Sequence, residues 1–162
     1  MVRQKGRNTK NRHRYVVSVM DWYVNVSFND YDFIRLIDGE EFEESIYVVL
    51  EGRITSTTSK KCKRYMQAKV SIHSSDVWYN KEMLRDEQHT IGKMEIVKAY
   101  SCLEKEDTLY IRVSVPMKSY ENIRDYLTYK GKALISLIGT ELNWRKGEIY
   151  TLEFGKLSNV SL

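Results

Sequence analysis

Trp22 to Phe28 (WYVNVSF) and Leu109 to Val115 (LYIRVSV) share tyrosine, valine and serine in place, 87 residues apart. Both runs are rich in β-branched and aromatic residues, which fit a pleated, half-buried surface, so each predicts a strand. Each leads into a related pentapeptide, Tyr31 to Arg35 (YDFIR) and Tyr120 to Arg124 (YENIR), after a two-residue difference in the connection. The spacing of 87 returns at Leu50-Glu51-Gly52 and Leu137-Ile138-Gly139. Three short matches in one order read as an internal duplication.

The pattern between these matches repeats without depending on identities. In the second half Ser119 is the expected N-cap, Glu121 lies in the first turn, Tyr120, Ile123 and Leu127 share a helical face, and Lys130-Gly131 supplies a stop. In the first half Asp30 is the expected cap, with Phe33, Ile34 and Ile37 as the apolar set and Gly39 as the stop. Beyond each helix comes an apolar strand, 46–54 and 133–142, then a polar loop, then an alternating strand, 64–72 and 148–154. Each of these pairs predicts an antiparallel hairpin. Further strands are expected at 15–20 and 94–101, and a weakly periodic helix at 76–88.

The expected fold class is therefore strand-dominated α+β, two β-α-β-β units with mainly antiparallel sheet. The alternative is an all-β barrel or sandwich with short helices. The halves span roughly residues 15–79 and 94–157, and units this small are marginal alone, so one compact domain over 15–162 with a shared core is expected.

Charge divides unevenly. Residues 1–14 carry Arg3, Lys5, Arg7, Lys10, Arg12 and Arg14 without an acid, so they contribute +6 of a chain total of +4, and the other residues sum to −2. This segment has no apolar periodicity and predicts a basic flexible tail that orders on an acidic partner. Asp38, Glu40, Glu41, Glu43 and Glu44 form an acidic cluster that reads first as a solvated loop and second as a place for the tail to visit.

No apolar run approaches the roughly 20 residues of a spanning helix. The 15–20 stretch is too short for a signal-peptide core. Cys62 and Cys102 have no paired-thiol spacing, which fits a reducing, intracellular location, cytoplasm or nucleus, although one bridge between them stays open.

The chemistry of enzymes is hard to find in the sequence. His13, His73, His89 and the two cysteines have no metal-ligand spacing. His73-Ser74-Ser75-Asp76 contains the residue types of a catalytic triad but reads as a turn or cap, since triad members seldom neighbour one another in sequence. No glycine-rich phosphate loop occurs. Glu51 with Gln67 and Lys69 across a hairpin is the nearest approach to a metal-dependent nuclease. No cofactor and no catalytic residue is expected.

Positive charge beside aromatic rings recurs instead. The first hairpin tip carries Lys60, Lys61, Lys63 and Arg64 beside Tyr65, and the second carries Trp144, Arg145 and Lys146. Cations grip a phosphate backbone, and a ring stacks a base for about 1–3 kcal/mol. Exposed lysines also keep an edge hairpin soluble, which is the simpler reading of either tip alone. Taken with the tail, the expectation is a non-enzymatic protein that binds nucleic acid, DNA or RNA, with a preference for single strands. The alternative is a protein-interaction module, an inhibitor or assembly subunit, with Trp22, Trp78 and Trp144 as candidate anchors. A nuclease-like enzyme without a local motif ranks third. No membrane partner is expected.

Overall fold

The computed structural model of the protein describes residues 12–30, 42–74, 90–99, 105–130 and 133–155. Within them lie β1 (His13–Asp30), β2 (Phe42–Thr57), β3 (Gln67–Ser74), β4 (Gly92–Val97), β5 (Thr108–Val115), α1 (Met117–Lys130), β6 (Leu134–Gly139) and β7 (Lys146–Gly155). The strands close into a seven-stranded barrel in the order β1-β2-β3-β5-β4-β7-β6, with β6 returning to β1. Neighbours are antiparallel except β3 and β5, which run parallel.

Alternation explains the closure. Val48 and Leu50 on β2, Ala68, Val70 and Ile72 on β3, Leu109, Ile111 and Val113 on β5, and Ile135 and Leu137 on β6 are buried in one core. Of the residues between them, which face the outside, Arg112 is exposed, Lys69, Ser71, Tyr110 and Ser136 are half-buried, and Val49 is buried. A barrel of this size is filled by its own side chains.

This architecture matches the all-β alternative; the order β5-α1-β6-β7 is that expected of the second unit, but the α+β arrangement of two β-α-β-β units is not confirmed. The strands expected at 15–20 and 22–28 are one strand, β1, with register shifts at Val16/Val17 and Val19/Asp21. The two expected hairpins do form, as β2·β3 and β6·β7. However, β1 pairs directly with β2, whereas β5 pairs with β3 and β4. The helix expected after Asp30 and the one at 76–88 lie outside the described residues, and Asp30 itself ends β1. The described helix starts at Met117, so Ser119 stands in its first turn and is not the cap. Its first hydrogen bond runs from the Tyr120 N–H to the Pro116 carbonyl at 2.9 Å. Tyr120 and Leu127 reach the core from its inner face. No helix among the described residues is long and apolar enough to cross a membrane.

The matched glycines have a physical reason of their own. A Cβ on Gly52 would lie 1.9 Å from the Ser18 carbonyl oxygen, and one on Gly139 would lie 2.3 Å from the Glu148 carbonyl oxygen. Both sit at register shifts, Gly52 opposite Val19 and Gly139 at the shift in β6·β7. Only a residue without a side chain lets the neighbouring strand approach this closely.

Candidate nucleic-acid interface

Strand directions place the two basic hairpin tips and the start of β1 at one end of the barrel. β1 begins where β2 and β6 end, since Tyr15 faces Thr57 and His13 faces Gly139. The two hairpin tips, residues 58–66 and 140–145, therefore flank the point where residue 12 leads into β1. Glu141 ties them together. Its carboxylate accepts hydrogen bonds from the Ser59 hydroxyl, from the Lys60 N–H at 2.9 Å and from the Leu142 N–H at 2.9 Å, with His13 Nδ1 at 3.8 Å. Burial alone would raise its pKa, but these donors outweigh that and hold it below the ordinary glutamate range. Beneath the tips Cys62, Met66 and Leu142 close the core. Burial, with Glu141 nearby, pushes the Cys62 thiol up to about 11, so it is protonated at neutral pH.

Both tips carry exposed rings on backbone that side chains rarely adopt. Trp144 is 90% exposed at φ 48°, Arg145 follows at φ 69°, and Tyr65 is 61% exposed at φ 66°. Asn143 and Lys146 exchange two backbone hydrogen bonds, at 2.7 and 2.9 Å, around the Trp144–Arg145 pair. This is a two-residue hairpin turn with both central residues left-handed, a geometry that asparagine and glycine adopt most easily. Changing Trp144 to Asn and Arg145 to Gly is therefore expected to raise stability by about 1–2 kcal/mol, or ~4 °C in the melting midpoint, while weakening ligand binding. A thermal melt paired with a binding isotherm checks both signs.

The described tip cations differ in their company. Lys60, Lys61 and Lys63 are exposed. The Arg64 guanidinium donates to the Thr55 carbonyl at 3.0 Å and lies 5.0 Å from the Tyr65 ring centre. Arg12 lies 5.6 Å from the Tyr150 ring centre, Arg14 donates to the Ser136 hydroxyl at 3.1 Å, and Lys146 stands 3.9 Å from Glu95. Arg3, Lys5, Arg7 and Lys10 lie outside the described residues, as do Trp78, His89, Cys102, Asp76, Asp38, Glu40 and Glu41. Of the remaining candidate anchors, Trp22 packs against the core.

The structure adds a surface that sequence reading missed. A cleft of about 790 Å³ lies on the outside of the barrel, lined from β1 across β2, β3, β5 and β4 to β7. Strand register arranges its side chains in rows. Asn25, Tyr47 and His73 are consecutive cross-strand partners, and the next row is Tyr23, Val49, Ser71, Arg112 and Lys93. The third row includes Lys69, Tyr110, Glu95 and Lys146, and it meets the second hairpin tip. Glu51 pairs with Lys69 at 3.2 Å, and Lys69 lies 5.6 Å from the Tyr110 ring centre. Among the described residues, Lys93 and Arg112 form no ion pair within 4.0 Å, although Glu148 faces Lys93 in register.

The upper row is polar and neutral. The Asn25 side-chain amide donates to the Tyr47 hydroxyl at 2.6 Å, and the Tyr47 and His73 rings stack with centres 4.7 Å apart and planes 19° from parallel. His73 Nε2 shares a hydrogen bond with the Ser71 hydroxyl at 2.6 Å. Burial, followed by the positive field of Arg112, lowers the His73 pKa from 6.5 to about 4. The folded protein therefore binds fewer protons here than the unfolded chain between these two values. Its stability contribution is complete above about 6.5 and is lost as pH falls toward about 4, a decline of about 1 kcal/mol once solvent screening of this half-open site is allowed for. Denaturant midpoints measured from pH 7 to pH 4 should show that decline, and His73→Gln should make it smaller.

No protein-family model, curated protein or solved structure matches this chain.

Proposed function

We propose that the protein binds single-stranded nucleic acid without carrying out chemistry on it. The observation that carries this reading is that Arg112, Lys93 and Lys146 line the ring-bearing cleft, with Arg145 and the exposed Trp144 on the adjoining hairpin tip. Cations at intervals follow a phosphate backbone, and rings with open faces stack bases of any sequence. In a duplex those base faces are already occupied, so unpaired strands suit the surface better. The basic segment that precedes β1 joins at the same end of the barrel and adds attraction independent of sequence.

A protein-interaction module is the second reading. It draws support from Met20, Val24 and Val26, which are exposed along β1. Pairing between β1 and β6 covers only His13 to Ser18, which leaves the later part of that edge of β1 outside the β6 ladder. The nuclease-like reading gains no residues. Glu51 is ion-paired with Lys69, and among the described residues no group of three histidine, cysteine or acidic side chains converges.

Fluorescence anisotropy with a labelled single strand and the matching duplex, across a salt series, tests the proposal. The single strand is expected to bind more tightly. Removing residues 1–11, which leaves β1 intact, should reduce the log–log salt slope by up to about 2.8, the contribution of four phosphate contacts on a single strand. Equal affinity for strand and duplex, or a slope unchanged by the truncation, contradicts it.

A further inference from the structure

The cleft has two chemically different ends. At one, Asn25 and Tyr47 bond to each other and keep hydrogen-bonding capacity in reserve. Among the described residues, the Asn25 amide spends one N–H on Tyr47, leaving its carbonyl and second N–H, and the Tyr47 hydroxyl accepts that bond and retains its own proton to donate. His73 stacks beneath Tyr47 and is held neutral by burial and by Arg112, so this end offers ring faces and neutral donors and acceptors. At the other end Arg112 and Lys93 are cross-strand partners, both exposed.

Along the strands the two ends are one row apart, about 6.8 Å. Across the sheet Tyr47 on β2 and Arg112 on β5 are separated by β3, about 9.6 Å, so the backbones that carry the ring and the cation lie about 12 Å apart. His73 on β3 bridges that gap, stacked on Tyr47 and close enough to Arg112 to feel its charge, which brings the cation within a nucleotide's length of the ring. The cleft's volume falls within the range of about 300–1,000 Å³ typical of small-molecule sites. Neutral hydrogen-bonding groups beside rings suit a heterocyclic base, and paired cations suit a phosphate. A site made only for a polymer backbone would need cations along its whole length and no neutral, ring-lined end.

We propose that the cleft holds one nucleotide as a unit, its base among Tyr23, Tyr47 and Asn25 and its phosphate on Arg112 and Lys93. This rests on the nucleic-acid reading and sharpens it. The polymer would be anchored by one nucleotide seated in the cleft, with the neighbouring residues following Lys146 toward Trp144.

Calorimetric titration of the full chain with AMP, UMP, adenosine and inorganic phosphate tests the site, with a single-stranded oligonucleotide titrated in parallel. At least one monophosphate is expected to bind, about ten-fold or more tightly than either adenosine or phosphate, because both ends contribute. Arg112→Gln should cost the monophosphate about ten-fold and leave adenosine unchanged. Asn25→Ala should weaken adenosine and the monophosphate together. Phosphate binding as well as the monophosphates removes the base end and overturns the proposal. Oligonucleotide binding without any monophosphate binding up to millimolar concentration also overturns it, while leaving the polymer reading in place. Monophosphate binding without oligonucleotide binding upholds the pocket and discards the polymer. If neither binds, both fall. Should Asn25→Ala fail to fold, perturbation of the Tyr47 and His73 side-chain resonances by adenosine in the unaltered protein supplies the same evidence, and their indifference to it counts against the base end.

Discussion

Replacing Arg112 and Lys93 together by glutamine is expected to weaken binding of a single-stranded oligonucleotide by about 100-fold at low salt. A hydrogen bond to a charged group contributes about 1.5–3 kcal/mol, so each loss is worth at least ten-fold. The salt slope should fall by about 1.4, since each phosphate contact on a single strand contributes about 0.7. Both side chains are exposed on the outside of the barrel and form no ion pair within 4.0 Å among the described residues, so the melting midpoint should move little. A second readout separates this from a loss of structure. Arg112 presses down the His73 pKa, so removing its charge should raise the midpoint of the His73 imidazole titration followed by NMR. Affinity and salt slope both unchanged in a folded double variant would place the ligand elsewhere.

Gly52→Ala is expected to produce the largest loss of stability. The added Cβ would meet the Ser18 carbonyl oxygen at 1.9 Å and its carbon at 2.8 Å, both of them backbone atoms that cannot swing aside. Relief requires β1 to move away at the shift between Val19 and Asp21, next to buried Val17 and Val19. The expected cost is about 3 kcal/mol or more, which corresponds to ~10 °C in the melting midpoint for a chain of this length. Gly155→Ala is the control, because nothing lies within 4 Å of the position its Cβ would take. Similar melts for the two variants would show that β1 yields easily and that the bulge is not a fixed part of the barrel.

Strands were legible in the sequence because alternation is a local property. Met66, Ala68, Val70 and Ile72 alternate with polar residues, and all four are buried in the structure. The hairpins β2·β3 and β6·β7 follow from two such runs joined by a short polar loop. Pairing between distant strands was not legible. The parallel contact of β3 with β5 joins residues 67–74 to 108–115, and nothing in either run specifies the other. Barrel closure and the break between β1 and β5 as equivalents both depend on that contact. Pro116, whose carbonyl accepts the first helical hydrogen bond, stands immediately before α1 and is the local cue to where the helix begins.

The same division holds for the candidate site. The tips could be read because cations and rings are adjacent in sequence at 60–65 and 144–146. The cleft could not, because Tyr47, His73, Arg112 and Lys93 come from four strands and meet only through register. One signal was available. Tyr23 and Tyr110 occupy the same place in the two matched runs, and both line the cleft. Polar and aromatic residues on the solvent side of several strands look like ordinary surface one strand at a time, yet a closed barrel gathers such positions onto one face.

Chemical-shift mapping with a short single-stranded oligonucleotide tests the central claim most directly. The account predicts perturbations concentrated on the amides of Tyr23, Tyr47, His73, Lys93 and Arg112 and on the Trp144 indole, with α1 unaffected. Perturbations confined to α1 or to Met20, Val24 and Val26 of β1, or none at low salt, would contradict it.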